Sequence, residues 1–111
     1  MQTADSVSAL VAAYNEHEKR RAAYAGRDLT HEERLDLALS GLAQAVRGRG
    51  GSIADFLAAG EVCDARLRQG QKVGTAIRAA VAKLRRIEKA AAIRAAFDSM
   101  PAAAPAVAEE A

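Results

Sequence analysis

The chain has 111 residues, half of them hydrophobic but only 4% aromatic, with no Trp. That length fits one domain with a modest core and excludes a deep cleft between lobes; because alanine supplies much of the apolar count, the core rests on a few Leu, Ile and Val side chains contributing about 1.5–3 kcal/mol each when fully buried. The net charge of +2 hides a polarity along the chain: residues 1–64 carry seven Lys or Arg against ten Asp or Glu, and residues 65–95 carry nine basic residues against Glu88 alone. Such asymmetry points to an acidic partner, which can be nucleic acid, an anionic protein surface or the chain's own first half.

In chain order, Thr3, Asp5 and Ser6 are candidate caps for a first helix whose apolar face collects Val7, Leu10, Val11, Tyr14, Ala22 and Ala25, with Gly26 as its stop. The polar run Asn15–Arg21 reads as a solvated surface of that helix, supported by the i,i+4 pair Glu16 and Arg20. Thr30-His31-Glu32-Glu33 matches a capping box and predicts the start of a second helix, striped by Leu35, Ala38, Leu39, Leu42, Ala45 and Val46. Leu37 lies off that stripe beside Gly41, which leaves either a second contact surface or an exposed leucine.

The segment RGRGGS at 47–52 predicts a glycine hinge and, with Arg47 and Arg49 beside a helix N-terminus capped by Ser52, a secondary anion site. It lacks the Lys-Ser/Thr of a P-loop, which excludes that nucleotide site. Helix three should place Ile53, Phe56, Leu57, Cys63 and Leu67 on one side. Gly60, in mid-course, marks either close helix packing or a break.

Gly70 and Gly74 bracket the turn into a long final helix, with Thr75 a candidate cap. From Gln71 to Phe97, helical spacing gathers Val73, Ile77, Ala80, Val81, Leu84, Ile87 and Ala91 on one side and leaves Lys72, Arg78, Lys83, Arg85, Arg86, Lys89 and Arg94 on the rest. Beyond Lys89 the pattern changes, with Ile93 and Phe97 on the basic side, so this stretch can pair with a second copy of the chain. The run PAAAPAVAEEA at 101–111 predicts a disordered tail after a single helical domain over 1–100.

No catalytic constellation is present. The lone Cys63 on an apolar stripe reads as a small buried hydrophobe, excludes an internal disulfide and, with His17 and His31 at no ligand spacing, gives no metal motif. No cofactor and no enzymatic activity are expected. A helix-turn-helix is a poor fit, because the positions four before Gly70 and Gly60 hold Arg66 and Phe56 where a small residue is wanted. Zinc-finger, RRM and KH signatures are absent, and no run approaches the ~20 apolar residues of a membrane span. With no basic segment ahead of the first apolar stretch, the setting expected is cytoplasmic.

The expected fold is all-α: a small bundle of four main helices with a long basic amphipathic C-terminal helix. The expected function is a non-enzymatic regulatory protein that meets nucleic-acid phosphates through Arg78, Lys83, Arg85, Arg86, Lys89 and Arg94, with Lys72, Arg47 and Arg49 nearby. The alternative is a helical adaptor or inhibitor, of the kind made by mobile elements, whose basic face docks on an acidic surface of a larger protein. Binding to lipid is disfavoured because alanine dominates the apolar side and no bulky aromatic anchors it.

Overall fold

The computed structural model describes residues 3–47 and 52–100, and among them it holds four helices and no strand. These are α1 (Thr3–Ala25), α2 (His31–Ala45), α3 (Ile53–Arg68) and α4 (Val73–Asp98), an all-α bundle. The expectations for Arg49 and for the tail at 101–111 lie outside the described residues.

Several boundaries have a local cause. The Thr30 hydroxyl accepts the Glu33 amide at 3.2 Å and the Glu33 carboxylate accepts the Thr30 amide at 2.8 Å, so the predicted capping box starts α2. Ser52 Oγ accepts the Asp55 amide at 3.1 Å and starts α3. Gly26 at φ 71° and Gly70 at φ 86° end α1 and α3 in the left-handed conformation that glycine adopts without a Cβ penalty. At both ends the following residue closes a Schellman motif: Arg27 N–H donates to the Ala22 carbonyl and Gln71 N–H to the Arg66 carbonyl. Asp5 and Ser6 fall inside α1 rather than at its cap, since the helix is already formed at Thr3.

The core consists of Leu37, Ala38 and Leu42 of α2, Ala59, Cys63 and Leu67 of α3, and Val73, Ala76, Ile77, Ala80, Val81 and Leu84 of α4. α1 covers it from one side with Val7, Leu10 and Tyr14, which are half-buried. α2 and α4 each touch every other helix, whereas α1 and α3 do not meet. That arrangement settles the question raised at Leu37. Because α2 is sandwiched, it needs two contact surfaces, and Leu37 with Gly41 forms the second.

Gly41 is required by packing: a Cβ there would come within 2.4 Å of Ile77 Cδ1 and 3.2 Å of Tyr14. Gly60 likewise marks close packing, its absent Cβ leaving 3.1 Å to Leu39 Cδ2, and α3 runs through it unbroken.

Three expectations about apolar faces are corrected. Ile53 and Leu57 are exposed, because the buried line of α3 runs instead through Ala59, Cys63 and Leu67. Ala25 is exposed at the end of α1. Ala91 is exposed too, because α4 has outrun its neighbours by that point. With 26 residues against the 16 of α3, α4 extends about 15 Å beyond a helix of its partner's length. Every residue from Glu88 to Met100 is exposed.

Candidate nucleic-acid interface

The basic face is built on α4, and the way α4 is seated decides which residues it presents. No side chain of its own caps it: Lys72 occupies the N-cap without a side-chain bond, and the candidate cap Thr75 lies in the first turn. The orphan amides are met by α1 instead. Val73 N–H donates to Glu18 Oε1 at 3.0 Å and Gly74 N–H donates to Asn15 Oδ1 at 2.7 Å. Glu18 also accepts a hydrogen bond from Arg34 of α2, whose other arm donates to the Gln71 carbonyl. A carboxylate at a helix N-terminus is favourable both as hydrogen-bond acceptor and against the helix dipole.

These contacts revise the reading of Asn15–Arg21 as solvated surface. Glu16, Lys19 and Arg20 are exposed, with Glu16 within 3.6 Å of Arg20, but Asn15 and Glu18 turn inward and hold the start of α4. The approach is close enough that a Cβ on Gly74 would sit 2.2 Å from the Val11 carbonyl oxygen. A second polar tie was also not foreseen: His31 Nε2 lies 2.6 Å from Asp64 Oδ1, and Arg68 donates to the other oxygen at 3.1 Å. Hydrogen bonds from His31 first and Arg68 second hold the Asp64 carboxyl below its usual value.

Seated this way, α4 points Arg78, Arg85, Arg86, Lys89 and Arg94 into solvent, with Lys72 exposed at its cap and Lys83 half-buried at the edge of the bundle. Among the described residues, no ion pair joins these cations to the acidic first half. Four of its carboxylates pair with cations other than those of α4: Glu16 with Lys19 and Arg20, Glu18 with Arg34, Glu33 with Arg27, and Asp64 with Arg68 and His31.

At 100° per residue the basic side chains form two rows, not one. Arg78, Arg85 and Lys89 share about 40° of arc, Lys72, Lys83 and Arg94 share another 40°, and Arg86 stands between them. Arg78 and Arg85 of the first row, with Arg86, border an open groove of about 480 Å³ between α4 and the start of α1, floored by Val7, Val81 and Ala82. Arg78 Nη2 reaches across it to Ser8 Oγ at 3.4 Å.

The other predicted positions do not join this surface in the same way. Arg47 is exposed just past the end of α2, on a different element. At the start of α3, one amide is occupied by the Ser52 side chain and the first turn carries the carboxylate of Asp55, which opposes a phosphate there.

Cys63 is fully buried, with Sγ 3.8 Å from the Ala76 carbonyl, and burial pushes its thiol up to about 11. Among the described residues no group of three or more His, Cys, Asp or Glu could hold a metal ion, and no helix is long and apolar enough to cross a membrane. Compared with known proteins, the chain matches no family model, no curated protein and no solved structure.

Proposed function

We propose that the protein is a small non-enzymatic regulator that binds nucleic acid by its phosphate backbone, using the basic rows of α4. The observation supporting this is the solvent exposure of Arg78, Arg85, Arg86, Lys89 and Arg94 on one helix, while the carboxylates of Glu16, Glu18, Glu33 and Asp64 in the first half pair with other cations. Exposed cations spaced along a rigid rod exchange condensed counterions for phosphates, which drives association at low salt. If Arg78, Lys83, Arg85, Arg86, Lys89 and Arg94 each neutralise one phosphate of a duplex, log K against log salt has a slope of about −5.

The test is fluorescence anisotropy with a random-sequence duplex across a salt series. Steep salt dependence that is lost in the triple variant R85E/R86E/K89E supports the proposal. No binding at any salt overturns it and favours the adaptor reading, in which the same cations meet an acidic protein surface.

A further inference from the structure

The projecting half of α4 carries two large apolar side chains that no core uses: Ile93 is 60% and Phe97 71% exposed. They are four residues apart and therefore neighbours on one side of the helix. Continuing that line backward by helical spacing reaches Ala90 and then Arg86, so Arg86, Ala90, Ile93 and Phe97 form a strip within about 60° of arc. The strip has a basic border on each side: Arg85 and Lys89 along one edge, Lys83 and Arg94 along the other. The acids of this half, Glu88 and Asp98, fall more than about 100° away from its centre.

We infer that the partner is B-form duplex DNA, received in its major groove by α4 from Arg86 onward, with Arg86, Ala90, Ile93 and Phe97 toward the base edges and the flanking cations toward the two phosphate strands. This rests on the phosphate-binding reading above and specifies its ligand. A helix with side chains is about 10–12 Å across, the width of that groove.

The chemistry of the strip suits the floor of the groove. An arginine can bond guanine O6 and N7 together, and alanine and phenylalanine make apolar contact with thymine methyl groups. Entry into a groove needs a helix standing clear of its own domain, and every residue from Glu88 to Met100 is exposed.

Other occupants fit less well. The major groove of A-form RNA is too deep and narrow for side chains to read, and a single strand offers one phosphate rim where the helix has two basic borders. A second copy of α4 would bury only Ile93 and Phe97 while setting like charges against each other on both flanks, an arrangement that opposes helix pairing.

The experiment compares a G-containing 20-base-pair DNA duplex, a G-free duplex of the same length, the RNA duplex of the first sequence and its single DNA strand as anisotropy probes of the full chain across one salt series. It is run with wild type, R86Q, K89Q and F97S, each checked for helix content by circular dichroism. The expected result is DNA duplex bound at least about tenfold more tightly than the RNA duplex or the single strand. R86Q should lose discrimination between G-containing and G-free duplexes with little change in salt slope, and K89Q should lower the slope by about 1 while discrimination stays. F97S should weaken duplex binding and leave the sedimentation coefficient of the free protein unchanged.

Equal, salt-sensitive affinity for all three nucleic acids overturns this inference and leaves the phosphate reading standing. Absence of binding to any of them removes both. Dissociation of a dimer by F97S makes the strip a subunit interface and overturns the inference directly.

Discussion

The two halves of α4 share a helix and a basic composition but are held in place by different physics. From Val73 to Leu84 the helix is enclosed: Val73, Ala76, Ile77 and Ala80 are fully buried, and its first amides are bonded by Asn15 and Glu18. From Glu88 onward nothing in the bundle touches it enough to bury a residue. The second half must stay helical on local grounds, and its sequence allows that. Ala90, Ala91, Ala92, Ala95 and Ala96 are the strongest helix formers, and no Gly or Pro appears before Pro101. Nucleation, the costly step, is already met by the packed half, so the projecting turns only propagate it. Packing thus fixes the register of the basic rows, while propensity carries them out into solvent.

Substitution tests this division most strongly in matched pairs. Ile77→Ala in the enclosed half should cost about 2–5 kcal/mol in urea unfolding, from lost burial plus a cavity. Phe97→Ala in the projecting half should stay within about 0.5 kcal/mol. Comparable losses at both sites would show that the second half is packed in solution as firmly as the first.

Next in size are the contacts that seat the first turn. Gly74→Ala should cost about 1–3 kcal/mol, because the new methyl meets the Val11 carbonyl, which is backbone and cannot turn aside. Gly41→Ala should cost less, since Ile77 Cδ1 lies at the end of a flexible side chain. Glu18→Ala should cost about 1–3 kcal/mol by leaving the Val73 amide and Arg34 without their acceptor.

Smaller effects appear on titration. The folded Cys63 thiol sits near 11 against an ordinary 9.0, so above pH 9 the unfolded chain releases a proton that the folded chain keeps. Stability should therefore fall between about pH 9 and 11, and Cys63→Ala should flatten that decline.

At the other end, hydrogen bonds from Arg27 and then from the Thr30 amide lower Glu33 from 4.5 to about 2. Its stabilising contribution is present above pH 4.5 and is lost as pH falls toward 2, a window that Glu33→Gln should remove from an acid titration. Smallest of all, R85E/R86E/K89E should leave unfolding stability nearly unchanged, because these side chains are exposed, while abolishing retention of duplex.

Much of this architecture was legible because its causes are local. Thr30 and Glu33 start α2, Ser52 starts α3, and Gly26 ends α1, each through bonds within a few residues. The buried side of α4 follows from 3.6-residue spacing through Val73, Ile77, Ala80, Val81 and Leu84. Helix three was misread at Ile53 and Leu57 because large apolar residues outweighed Ala59 in the pattern, whereas packing between two close helices favours the small side chain. The capping of α4 was hidden because Glu18 and Val73 are 55 positions apart, and a charged run on one helix gives no sign of which distant amides it will meet.

By itself, the order of residues determined that the chain is helical, where three of its helix boundaries lie and that positive charge collects on the last helix, since propensity, capping and periodicity act over short distances along the backbone. Tertiary structure alone decided that Asn15, Glu18 and Arg34 anchor that helix, that Glu18 is taken by Arg34 and Asp64 by His31, and that Ile93 and Phe97 stand clear of the bundle. Those outcomes depend on which helices meet and how far each extends, and such relations appear only when the chain is folded.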